Sequence, residues 1–183
     1  TGADNTAVGK SALELNTTAN DNTAVGKNAL SLNTTGAQNT AVGKDALDAN
    51  QTAHDNTAMG VGALGLMNGG LGANCAFGNY SGDAITTGGS NNVFGYQAGT
   101  AITDGSNNCF FGTKAGKDTT TSDFNCAFGQ EALESNVTGA NNVAMGYNSL
   151  TSNTASNNTA IGHLALTANT TGDRNTAVGY GAL

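Results

Sequence analysis

The chain has 183 residues, with six Lys and Arg against thirteen Asp and Glu, for a net charge of −7. An acidic surface attracts neither nucleic acid nor an anionic membrane, so the composition argues against both as partners. No run of 18 apolar residues supplies a membrane-spanning helix, and with so few charged residues the pattern of the rest carries the information.

From the N-terminus onward, one phrase recurs eleven times: Asn, two variable residues, a large apolar residue, then Gly. Its glycines are Gly9, Gly26, Gly43, Gly60, Gly78, Gly95, Gly112, Gly129, Gly146, Gly162 and Gly179. Eight of the ten steps are 17 residues; Gly60 to Gly78 is 18 and Gly146 to Gly162 is 16. A repeat this short cannot bury its own apolar face and must stack on its neighbours. The expectation is an all-β chain, a parallel β-solenoid (β-roll) of eleven 17-residue rungs in a single domain spanning 1–183. Because the pattern runs from the first residues to the last, the chain reads as a fragment of a longer fibrous protein. Disordered chains do not hold apolar residues in such register.

Within each copy the slots have distinct characters. The residue before the glycine is large and apolar, as in Val8, Val25, Phe77, Phe94, Phe111 and Phe128; four residues after it come Leu13 and Leu30, or Gly82, Gly99 and Gly116. These two slots are expected to form the core, with Phe plus Gly replacing Val plus Leu at near-constant volume. Phe128 with Leu133 breaks that exchange, so a local bulge or a wider rung is expected there. Two short strands flanking a glycine corner are expected in each rung. Alternation then puts Ala7, Ala24 and Ala41, and after the corner Ala12, Ala29 and Ala46, on the opposite face. A flat face of alanines where a solvated strand would carry polar residues points to close contact between chains, and these six are the candidate trimer face.

The Asn slot is invariant: Asn5, Asn22, Asn39, Asn56, Asn74, Asn91, Asn108, Asn125, Asn142, Asn158 and Asn175. A stacked column of amides can bond from rung to rung while capping the turn, so this ladder is read as structural. The segment Gly69-Gly70-Leu71-Gly72 reads as the loop that absorbs the extra residue of the 18-residue step.

The phrases Asn5-Thr6-Ala7-Val8-Gly9, Asn22-Thr23-Ala24-Val25-Gly26 and Asn158-Thr159-Ala160-Ile161-Gly162 resemble the repeats of trimeric autotransporter adhesin heads, which are YadA-like β-rolls. With the following Ala-Leu and Asn-Thr-Thr they also resemble repeat regions of phage and algal-virus tail fibres. The resemblance implies a left-handed coil, a homotrimer and a role in attachment outside the cell, on a cell surface or on a virion. The repeat of those heads is 14 to 15 residues, shorter than the one here.

Residues for chemistry are sparse. His54 and His163 sit in different slots with no metal-ligand spacing, and no nucleophile elbow, phosphate loop or carboxylate pair stands out. Neither an enzyme nor a cofactor or metal site is expected. Asp4, Asp21 and Asp55 form a solvated edge rather than a calcium loop. Cys75, Cys109 and Cys126 share the slot of Thr6 and are expected as free thiols, although adjacent rungs permit a Cys109–Cys126 disulfide. The expected function is a structural fibre segment, a shaft or head that carries a surface able to meet a glycan or protein receptor. Two alternatives are an ice-binding solenoid, on the column Thr6, Thr23, Thr40 and Thr57, and a carbohydrate-binding module, with Tyr80, Tyr96, Tyr147 and Tyr180 as platforms. The alternation, which would turn the Thr column inward, speaks against ice.

Overall fold

The computed structural model describes residues 2–183. Among them are eleven strands of three residues and no helix: β1 Thr6–Val8, β2 Thr23–Val25, β3 Thr40–Val42, β4 Thr57–Met59, β5 Cys75–Phe77, β6 Asn92–Phe94, β7 Cys109–Phe111, β8 Cys126–Phe128, β9 Val143–Met145, β10 Thr159–Ile161 and β11 Thr176–Val178. They form one parallel sheet in chain order, each residue beside its counterpart in the next rung. The chain is a parallel β-solenoid, advancing one strand per repeat.

Three features of the repeat enforce this. The amide column is continuous: Asn22 N–H donates to Asn5 Oδ1 at 3.0 Å, and the same bond recurs at every step up to Asn175 N–H on Asn158 Oδ1 at 2.9 Å. The side-chain amide of Asn39 donates to the Ala53 carbonyl at 2.9 Å, closing the loop side of the coil. The glycine ends each strand at a φ that side chains rarely adopt, +138° at Gly60, where an added Cβ would fall 2.5 Å from the Gly78 carbonyl oxygen. Conformation and space both demand glycine there.

The two-strand rung does not form. After Gly9, Ser11 and Leu13 also have positive φ, 57° and 52°, so the chain curls instead of extending. Rung-to-rung bonds nevertheless continue through this turn, with Leu13 N–H donating to the Ala29 carbonyl at 3.1 Å and Leu15 N–H to Ser31 at 3.0 Å. Each coil therefore has one strand and a run of stacked turns.

The strand's faces are the reverse of the expectation. Ala24, Ala41, Ala58, Ala76, Ala127, Ala144 and Ala160 are fully buried, as are Ala29, Ala46 and Ala63 from the facing turns. Ala12 packs half-buried against this core, and Ala7 in the first rung is exposed. Thus the proposed trimer face is the interior of the roll. Leu13 and Leu30 belong to the core, but Val8, Val25, Phe77, Phe94, Phe111 and Phe128 point outward. The physical reason is the narrowness of the coil: strand and turn close on each other, and in most rungs only a methyl group fits between the strand and the Leu column. Alternation separates two faces without saying which the turn will fold over.

A second interior column, seven residues after each glycine, lies within the stretch read as loop. In the outer rungs it is asparagine: Asn33 donates to Asn16 Oδ1 and Asn50 to Asn33 Oδ1, both at 3.1 Å, and each also caps a carbonyl three residues on. In the middle it becomes Met67, Ile85, Ile102 and Thr119, all fully buried.

The volume exchange exists, but between other partners. Gly99 leaves room for Ile102 and Val93, whose methyl carbons lie 2.8 and 2.9 Å from where a Cβ would be. A Cβ on Gly116 would fall 2.3 to 2.5 Å from three carbons of the Phe110 ring, the one aromatic side chain among the described residues that is fully inside the roll. Phe111, its outward neighbour, takes no part. For the same reason no bulge occurs at Phe128 and Leu133: they face opposite sides, and β8 pairs in full register with β7 and β9. The 18-residue step likewise leaves β4 and β5 in register.

Candidate functional site

With the interior closed, the face of the sheet that has no partner is the outer one. It carries two columns. One runs Val8, Val25, Val42, Met59, Phe77, Phe94, Phe111, Phe128, Met145, Ile161 and Val178; the other runs from Thr6 through Thr57, Cys75, Asn92, Cys109, Cys126 and Val143 to Thr176. Neither column contains a charged residue. Side chains two apart on an extended strand share a face, so the two columns lie side by side.

Large apolar groups remain accessible along the stripe: Val8 at 57%, Phe128 at 38% and Met145 at 42% exposure. In its middle four rings form one stack, Phe77 on Phe94 at 4.9 Å, Phe94 on Phe111 at 4.4 Å and Phe111 on Phe128 at 4.9 Å, with interplanar angles of 5°, 6° and 4°. Rings this nearly parallel show that successive rungs barely rotate. Over these four rungs the stripe is flat, unlike the twisted surface of an ordinary open sheet. The apolar column is exposed at Val8, Met59, Phe128, Met145, Ile161 and Val178 and half-buried at Val25, Val42, Phe77, Phe94 and Phe111.

Cys75, Cys109 and Cys126 are free thiols, half-buried in the Thr column. Burial pushes all three thiols above their ordinary values, and the neighbouring Cys126 raises Cys109 further. They are protonated at neutral pH and poor nucleophiles.

Charged groups collect on the turn side instead. Lys44 and Asp45 form an ion pair at 2.6 Å, which holds the Asp45 carboxyl below its usual range. Absent side chains at Gly62 and Gly65 leave a shallow notch of about 240 Å³ between Lys44, Asp45 and Asp48 on one side and Tyr80 and Asp83 on the other. Burial raises Asp83 in this notch. Farther along, Tyr147, His163 and Tyr180 make an edge-to-face column at 5.2 and 5.1 Å, while Tyr96 lies apart from it. His54 accepts the Ala37 N–H through Nδ1 at 2.9 Å, so the two histidines do not meet. Among the described residues no three His, Cys, Asp or Glu are grouped to hold a metal.

The outward Thr column reverses the orientation that had spoken against an ice-binding face. The column is still broken at Cys75, Asn92, Cys109, Cys126 and Val143. Compared with known proteins, the chain matches no family model, no curated protein and no solved structure.

Proposed function

We propose that the chain is a non-enzymatic structural segment of a fibre, the shaft or head of an attachment protein, built by association of identical chains along the outward stripe. The observation that carries this reading is the pairing of a filled interior with an uncharged apolar stripe running the length of the roll. A partner that covers it throughout must share its rung spacing and its lack of twist, and a second copy of the same chain does both. Three copies around an axis close the stripe of each against its neighbours, and closed rotational symmetry ends growth sideways while leaving the ends free. The resemblance to adhesin heads and tail fibres supports the trimer, the left-handed coil and a place outside the cell or on a virion. A glycan or protein receptor would then meet the turn side.

Light scattering tests this reading. The parental chain is expected to run at about three times its monomer mass. Phe94→Glu, which sets a charge in the middle of the stripe, is expected to give a folded monomer. A parental chain that is monomeric and stable would overturn the proposal. The outward column Thr6, Thr23, Thr40 and Thr57 favours the ice-binding reading as second choice; thermal hysteresis in a monomeric chain would put it first.

A further inference from the structure

We propose that the block Met59, Phe77, Phe94, Phe111, Phe128, Met145 fixes the axial register in which copies of the chain join. This rests on the self-association just proposed, and it names the partner's alignment: a parallel copy, level rung for rung. A repeat surface has a problem of its own. Parallel strands are spaced about 4.8 Å apart, so one copy can leave the symmetric ring by sliding a rung along the other two and still meet a nearly identical surface. Over Val8, Val25 and Val42, and again over Ile161 and Val178, such a slip replaces one aliphatic group by another. Backbone pairing cannot oppose it, because the contact is between faces and not edges. Register is weakly specified wherever a surface repeats without variation.

The aromatic block is the part of the stripe that does not repeat. Four stacked rings at 4.4 to 4.9 Å form a stiff ridge, bounded on both sides by a methionine in the same column. Two level copies set ring beside ring on four rungs. A slip by one rung keeps three of those and places a Phe beside a Met at each end. A single odd layer performs the same office in coiled coils, where one polar core residue fixes alignment. The interior does not require the rings, since their column faces away from Gly82, Gly99 and Gly116.

The experiment moves the block and asks whether the alignment follows. In chains with Cys75, Cys109 and Cys126 each changed to Thr, the usual residue of that slot, a single cysteine is placed at Thr23, Thr40 or Thr57. One set keeps the parental block. The other carries Val42→Met, Met59→Phe, Phe128→Met and Met145→Ile, which shifts the block one rung toward the N-terminus. The sets are mixed, one of them isotopically labelled, and joined with a short bismaleimide. Parental chains should cross-link fastest at equal positions. Mixed pairs should peak one rung apart, Thr23→Cys in the shifted chain with Thr40→Cys in the parental one. A maximum that stays at equal positions overturns the register proposal while leaving self-association standing. A parental chain with no cross-link and a monomer mass overturns both. Should the shifted chain fail to fold, Val at all six block positions tests the same idea, because that chain should lose its single maximum; retaining it contradicts the proposal.

Discussion

Rungs 3 and 7 enclose the same cross-section in two ways. In rung 3, Ala41 on the strand faces Ala46, Leu47 and Asn50; in rung 7, Phe110 faces Ala115, Gly116 and Thr119, and all eight are fully buried or, for Gly116, filled by the neighbouring ring. One design spreads volume over the turn, the other concentrates it on the strand. Backbone conformation is the same in both: φ is 49° at Leu47 and 57° at Gly116. A leucine held there bears a strain of about 1–2 kcal/mol that glycine escapes, offset by about 1.5–3 kcal/mol from its burial. The coil thus fixes backbone and total volume, while leaving open which slot supplies it.

Substitutions that convert one design into the other should break this comparison most sharply. Phe110→Ala leaves a void above Gly116 and is expected to cost about 3–5 kcal/mol, measured by denaturant unfolding. Adding Gly116→Leu, harmful by itself because its side chain would enter the Phe110 ring, should recover much of the loss by turning rung 7 into a copy of rung 3. Additive losses in the double variant would show that the slots do not share one space.

The amide ladder should feel the difference. Asn39→Ala strands the Asn56 N–H but leaves the Ala53 carbonyl its bond from Asn50, whereas Asn91→Ala strands both the Asn108 N–H and the Gly105 carbonyl, because Ile102 stands where rung 3 has Asn50. The first should cost about 1–3 kcal/mol and the second about 2–4 kcal/mol. Equal losses would mean that the second asparagine column does not back up the ladder.

A smaller effect belongs to Thr119, whose hydroxyl is buried without a partner at the position where the outer rungs have asparagine. Thr119→Val is expected to stabilise by about 1 kcal/mol, whereas Asn136→Val should destabilise by freeing the Gly139 carbonyl and N–H.

What could be read in the sequence was what every copy repeats. The Asn5-to-Asn175 ladder and the glycine corners recur without exception, because each is needed at each level, and the period holds in eight of ten steps. The side of the strand that faces inward was not legible, since alternation distinguishes Ala41 from Val42 but the turn decides which it covers. The better signal was local: Val93 and Phe110 enlarge the Ala slot in two of the three rungs where glycine replaces Leu, linking the Ala column, rather than the Phe column, to the interior. Asn16, Asn33 and Asn50 stayed hidden because an asparagine followed by Thr17, Thr34 or Gln51 reads equally well as loop or as buried cap.

The assignment of faces bears everything else, including the outward stripe on which assembly rests. It is tested by circular dichroism, thermal melting and solution mass of two adjacent variants, Ala41→Glu and Val42→Glu. A glutamate at Ala41 would be buried in a space fitted to a methyl group, and this chain is expected to lose its cooperative melt. A glutamate at Val42 reaches water in the single chain, so the sheet signal should persist while the particle falls to monomer mass. A folded Ala41→Glu chain beside an unfolded Val42→Glu chain would contradict the account.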